Sequence, residues 1–197
     1  MPQISMAALA ERVRSLSGWR GRLAAVSAGA ASVLAMAPFF LAPVLWLTLP
    51  VLVWLIDGTV RRHAGEGPLR RFAAVAEIGW WWGFSYFLVG LYWIGEAFLV
   101  EAEKFAVLMP FAVMALPAWL ALFHGAAVAV AAPLWKRGPW RVVALALSLS
   151  AAEWLRGHVA TGFPWNVLGY ALTYPLPLMQ SAAVLGVYGL TLAAVLV

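Results

Sequence analysis

The sequence predicts an all-α membrane protein, a polytopic bundle of about six transmembrane spans with a cytoplasmic N-terminus. Three observations carry this. Of 197 residues, 64% are hydrophobic and only 11% are charged, whereas a soluble domain carries roughly 25% charged residues to cover its surface. Mean hydropathy is +0.89. Apolar runs close to the roughly 17–25 residues needed to cross a hydrocarbon core recur along the chain. Finally, the 13 Lys and Arg fall in short clusters between those runs. The pI of about 10.1 therefore reads as a set of topology signals, and no nucleic-acid partner is expected.

Residues 1–22 form a basic cytoplasmic segment holding Arg12, Arg14, Arg20 and Arg22. A single transmembrane domain, 23–197, follows. Its first two spans, 23–40 and 41–56, are short and hinged at Pro38 and Pro43. Ala35-Met36-Ala37 resembles a signal-peptide cleavage site, but Pro38 directly after it opposes cleavage and the first span is expected to stay. The third span is 72–94 and the fourth 105–135, long enough to tilt. The fifth, 142–155, is short unless it continues into the next segment. The sixth, 178–197, has no basic or aromatic anchor beyond it, so the chain is expected to be truncated there.

Orientation comes from the loops. Arg61, Arg62, Arg70 and Arg71 lie between spans two and three, and Lys136, Arg137 and Arg141 lie between spans four and five. The alternate loops are neutral ("PFFLAP") or acidic, with Glu96, Glu101 and Glu103 against Lys104. By the positive-inside rule the N-terminus is cytoplasmic, and residues 156–177 form an interfacial segment on the far side of the membrane, which in a bacterium is the periplasmic side of the inner membrane.

Polar residues inside such spans are the candidates for function. Glu77 is expected to pair with Arg70 or Arg71 at the interface. His124 is expected to hydrogen-bond a backbone carbonyl deep in the fourth span. Asp57 reads as the end of the second span. Gly79, Gly83 and Gly90 share one helix face and predict close approach of another helix. Trp80, Trp81, Trp82, Tyr86, Tyr92 and Trp93 are expected to serve packing and the interfacial belt, with a lipid-binding groove as the alternative because they outnumber what a belt needs. Glu101 and Glu103 read as a solvated loop face.

One stretch differs, "EWLRGHVATGFPWN". Glu153 and Arg156 are spaced i, i+3 and can form an ion pair on one helix face. Arg156 also offers a planar fork suited to phosphate or carboxylate. Gly157 can end the helix, and Pro164 forces Phe163 out of helical geometry. Phe163 and Trp165 are expected to dip into lipid while Thr161, Asn166 and Tyr170 present polar groups. A lipid-substrate rim and a purely structural re-entrant turn both fit these residues. Nothing else carries recognisable chemistry. There is no cysteine, hence no thiolate nucleophile or thiolate metal site in these residues, and no nucleotide, metalloprotease or hydrolase motif.

"EWLRGHVATGFPWNVLGY" followed by "PLPLMQSAAVLGVYGLT" resembles the membrane domain of bacterial apolipoprotein N-acyltransferases. The family's E-[WF]-L-R-G, T-G-F-P-W, G-Y and G-V-Y-G stretches match Glu153–Gly157, Thr161–Trp165, Gly169-Tyr170 and Gly186–Gly189. "GWWWGFSYFLVGLYWIGEAF" and the opening "APFFLAPVLWLTLPVLVWLIDG" are also similar, so the likeness runs from about Gly21 onward.

The resemblance implies transfer of an acyl chain from a phospholipid to the α-amino group of a diacylglyceryl-cysteine on a lipoprotein. The transfer runs through a thioester on a Cys–Glu–Lys triad in a periplasmic nitrilase-like domain. That domain lies outside this chain, so no catalytic residue is expected here and the chain alone is expected to be inactive. No cofactor or metal is implied. The implied partners are a phospholipid donor, a diacylated lipoprotein acceptor and the bilayer. Glu153, Arg156, Thr161, Gly162, Phe163, Pro164, Trp165, Asn166 and Tyr170 are the candidate substrate or rim residues. Arg156 is expected to meet either a lipid phosphate or only Glu153, and the shared face favours the pair. The competing functions are a small six-span transporter or channel using His124 and Glu77, and a non-catalytic membrane scaffold.

Overall fold

The structure is a computed structural model that describes residues 5–136 and 138–196; residues 1–4, Arg137 and Val197 lie outside the described residues. Those described are helical and carry no strand. Helix α1 (Met6–Ser15) opens on Ser5, whose Oγ accepts the Ala8 amide at 3.2 Å, satisfying one of the free N–H groups of a helix start. Gly18 turns the chain at a positive φ of 55° into α2 (Gly18–Ser32). A short 3₁₀ turn and the Pro38 and Pro43 region follow, then α3 (Leu45–Arg62). Helix α4 (Pro68–Gly90) starts with proline in its first turn, where a missing N–H is harmless.

After α4 come a 3₁₀ stretch (Tyr92–Leu99), the single-turn α5 (Ala102–Phe105) and α6 (Met109–Ala131). Helix α7 (Trp140–His158) leads through an irregular loop to a 3₁₀ turn (Leu168–Leu172), the short α8 (Leu176–Gln180) and α9 (Ala182–Leu196). Helix α9 is kinked at Gly186, whose φ is 65°, a conformation that glycine adopts without steric cost.

Helix ends differ from the ends of the apolar runs. The first run extends to 40, but regular α2 stops at Ser32. The second run ends at Ile56, yet α3 continues to Arg62 because its polar end is held by tertiary contacts. Helix α7 runs to His158, three residues past the expected end of the fifth span at 155, and reaches about 28 Å at 1.5 Å per residue. By length and hydropathy, Ala42–Arg62 (mean 1.7) and Ala102–Leu134 (mean 2.1) can cross a membrane. Helix α4 is long enough but dilutes its apolar character with Trp80–Trp82, its glycines and Glu77.

Helix α4 is the centre of the bundle, packed on α6 and α2, with α7 against α6 and α9. The expected glycine face accounts for part of this. A Cβ on Gly83 would sit 2.7 Å from His124 Cβ, and one on Gly79 would sit 2.8 Å from the His124 carbonyl. Without those Cβ atoms α4 and α6 approach closely, the usual device of helices that have lipid rather than water around them. Gly90 serves a different neighbour, the Asn166 side chain.

Trp82, Tyr86 and Phe87 are fully buried and form the core with His124, at ring separations of 5.6 Å, 6.2 Å and 5.0 Å from its imidazole. Trp82 and Tyr86 are therefore core residues, not belt residues. His124 is corrected too. Neither ring nitrogen has a hydrogen-bond partner among the described residues, because aromatic faces rather than a carbonyl surround it.

Two further corrections lie at the arginine-rich end. Glu77 pairs with Arg22 Nε of α2 rather than with Arg70 or Arg71, since its helical position points across to α2. Asp57 is not a helix end but a buried junction, 6% exposed. It accepts from Arg14 Nε at 3.1 Å, Arg141 Nη1 at 2.8 Å and Trp135 Nε1 at 2.9 Å, joining α1, α3, α7 and the segment after α6.

Candidate functional site

The site grows from the last turns of α7. The i, i+3 spacing puts Glu153 and Arg156 on one inward face, and both are buried, at 0% and 1% exposure. The expected ion pair between them is absent among the described residues. Each instead holds the backbone of the loop that follows. Arg156 Nη1 donates to the carbonyls of Phe163 and of Trp165, the latter at 2.8 Å. Glu153 Oε1 accepts the Leu168 amide at 2.9 Å, and its Oε2 accepts the Thr191 hydroxyl. Thr191 Oγ1 in turn accepts the Gly169 amide at 3.0 Å. Peptide groups shielded from water must be paired, and here the two charged side chains supply partners for those of Phe163, Trp165 and Leu168.

The loop geometry follows from its sequence. Val159 N–H returns to Leu155 O at 2.8 Å and ends the helix. Ala160 and Gly162 take positive φ of 58° and 72°, reversing the chain so that Phe163 N–H reaches Arg156 O at 3.0 Å. A Cβ on Gly162 would meet that turn's backbone at Gly157 O. Pro164 then keeps the chain extended. Gly169 lets the Leu168–Leu172 turn lie directly on α9, where a Cβ would collide with Val187 O and Thr191 N.

The Phe87 ring lies 4.9 Å from the Arg156 guanidinium carbon, a cation–π contact strengthened by the dry surroundings. Nε and Nη2 of Arg156 have no partner among the described residues.

The predicted rim residues take distinct positions. Phe163 packs on the core instead of pointing outward, because its carbonyl is drawn in by Arg156. Trp165 stays half exposed and stacks on Trp93 at 5.0 Å. Thr161 is exposed. Tyr170 donates to Pro164 O at 3.2 Å; burial raises its pKa above the ordinary phenol value, so it stays protonated as a donor. Asn166 and Tyr170 line a cleft of about 610 Å³ whose other walls include Met36, Phe40, Gly90 and Trp93. Its lining is mostly apolar and carries no charged residue, the usual character of a small-molecule or lipid-chain site.

Sequence reasoning missed Thr191 and Phe87. Thr191 had a signal, a lone hydroxyl inside "GLTLAAVLV"; Phe87 was indistinguishable from a packing aromatic, while Tyr92 and Trp93, singled out in the sequence, line the cleft. No cluster of three or more metal-ligating side chains exists among the described residues. His124 is sealed among aromatic rings, which counts against a polar transport path.

The pattern of the apolipoprotein N-acyltransferase N-terminal domain matches residues 28–197. The chain is similar to the apolipoprotein N-acyltransferase of Rhodopseudomonas palustris, 53% identical over 178 residues, covering 90% of this chain and 32% of that protein. It is likewise similar to that of Bradyrhizobium diazoefficiens, 55% identical over 178 residues (90% and 32%). The Brucella suis protein of the same name is 50% identical over 193 residues (98% and 36%). The chain thus spans about a third of the length of the curated relatives it matches. From the motif, the rim it builds and these likenesses together, the chain belongs to the apolipoprotein N-acyltransferase family, in the region of its N-terminal domain.

Proposed function

We propose that this chain is the membrane-embedded, lipid-handling part of an enzyme that moves an acyl chain from a phospholipid to the N-terminal diacylglyceryl-cysteine of lipoproteins. About six helices cross the bacterial inner membrane, with the arginine-rich end in the cytoplasm and the Glu153/Arg156 rim at the periplasmic surface. The chain has no cysteine, so the thioester step belongs to residues outside it. By itself the chain is inactive, contributing anchorage and lipid binding.

The observation that carries this reading is the rim. A buried Glu and a buried Arg are spent on holding the Phe163–Leu168 backbone, and beside it opens the uncharged cleft at Asn166 and Tyr170. A rigid loop beside an apolar cleft suits a donor whose chain is held in the bilayer and whose ester must stay at one height. Thr161, Gly162, Phe163, Pro164 and Trp165 set the loop's shape, while Asn166 and Tyr170 face the cleft.

The test is acyl transfer from phosphatidylethanolamine to a synthetic diacylated lipopeptide by the full-length protein carrying this chain. Arg156→Ala should lower the rate at least tenfold while the protein still inserts in the membrane. Unchanged transfer at equal protein level would refute the rim's role.

A further inference from the structure

We propose that α1, together with Trp19 and the unpaired arginines beside it, is an interfacial anchor that binds the surface of an anionic phospholipid bilayer. The family pattern begins at residue 28, so it leaves this helix unassigned. The inference rests on reading the bundle as membrane-spanning with its arginine-rich end at a bilayer surface.

The first observation is that α1 is clamped in one rotation. Its Arg14 reaches inward to Asp57 at 3.1 Å, and Gly58 lies so close that a Cβ there would collide with the Arg14 carbonyl. Arg62 Nη1 donates to that same carbonyl at 3.0 Å. Ala10 is buried and Val13 packs on the core. The helix therefore cannot roll to hide its other faces.

The second observation is what this rotation leaves outside. Met6 is 68% exposed and Leu9 40%, and at 100° per residue they form one lateral stripe leading to Val13. Trp19, at the start of α2, is 66% exposed. Exposed apolar side chains on one flank, with an exposed tryptophan at the same end, match a helix lying in the headgroup region.

The third is charge. Arg12, Arg20 and Arg70 are exposed at this end and make no ion pair among the described residues. Arg20 lies 5.6 Å from the Trp19 ring, leaving its guanidinium outside. The acids nearby are already engaged: Glu11 by Arg14 and Arg61, Asp57 by Arg14 and Arg141, Glu77 by Arg22. Glu66, exposed in the turn before α4, is the remaining one. The excess positive charge complements phosphate headgroups rather than a neutral surface.

In the full-length protein carrying this chain, with any native cysteine outside these residues replaced by serine, the variants Leu9→Cys and Glu11→Cys each carry one spin label; these 197 residues add none of their own. Each is reconstituted in phosphatidylcholine vesicles with and without phosphatidylglycerol, and label depth is read by power saturation. The Leu9 label should lie below the phosphate level and the Glu11 label in water, with Leu9 deeper when phosphatidylglycerol is present. In detergent, the ratio of phosphatidylglycerol to phosphatidylcholine retained by the protein should fall about fivefold for each of Arg12→Gln and Arg20→Gln.

Equal water exposure of both labels in inserted protein, or an unchanged lipid ratio, overturns the anchor while leaving the membrane reading intact. A Leu9 site that becomes buried only when another protein is added would also overturn it, in favour of a protein contact. Failure of the chain to insert in vesicles at all would overturn both.

Discussion

Removing the Glu153 carboxylate is the most direct test of how the rim is held. Glu153→Ala leaves the Leu168 amide without its acceptor and the Thr191 hydroxyl without its partner, and it removes the negative charge buried nearest Arg156. An unsatisfied buried group costs about 1–3 kcal/mol, and two such groups, the Leu168 amide and the Thr191 hydroxyl, lose their acceptor here. Thr191 has an alternative acceptor in Val187 O at 3.5 Å, which recovers part of its share.

A net loss of about 2–5 kcal/mol is therefore expected, or roughly 30-fold to a few thousandfold in the opening equilibrium of the loop at 1.4 kcal/mol per factor of ten. Amide hydrogen exchange in lipid nanodiscs reads this at the affected groups. Protection at Leu168 should fall by that factor, protection at Gly169 by less, and protection in the α4–α6 core should hold. Glu153→Gln, which keeps an acceptor oxygen, should fall between wild type and Ala. Undiminished protection at Leu168 in Glu153→Ala would refute the claim that this side chain pins the loop.

Three further outcomes are expected. Asp57→Ala should free α1 and raise the rate of tryptic cleavage at Arg14 at least tenfold in detergent, since both arginines lose their buried acceptor; an unchanged rate would show that Arg14 is held by something else. Gly83→Leu should lower thermal stability by about 1–3 kcal/mol or more, because overpacking pushes α4 off α6, whereas the exposed Leu69→Ala should not move the unfolding midpoint. His124→Phe should leave the midpoint unchanged or raise it, since neither imidazole nitrogen has a partner to lose; a fall comparable to Gly83→Leu would reveal a hidden polar partner.

Residue pattern alone made the all-helical class and the family legible. Charge scarcity leaves no alternative to lipid or a large apolar interior, and a Thr-Gly-Phe-Pro-Trp run beside Glu-Trp-Leu-Arg-Gly is too specific a combination to arise from packing. Spacing also placed Glu153 and Arg156 on one inward face, because helical geometry is local. What they do there was not local. Two groups three residues apart can bond each other, and only the fold shows that the Phe163–Leu168 backbone and Thr191 claim them first, since a shielded peptide group without a partner costs more than the direct pair returns. Asp57 and Glu77 teach the same lesson. A polar residue in an apolar run announces itself in the sequence, but its partner is chosen by whichever helix packs against it, and that is a tertiary decision.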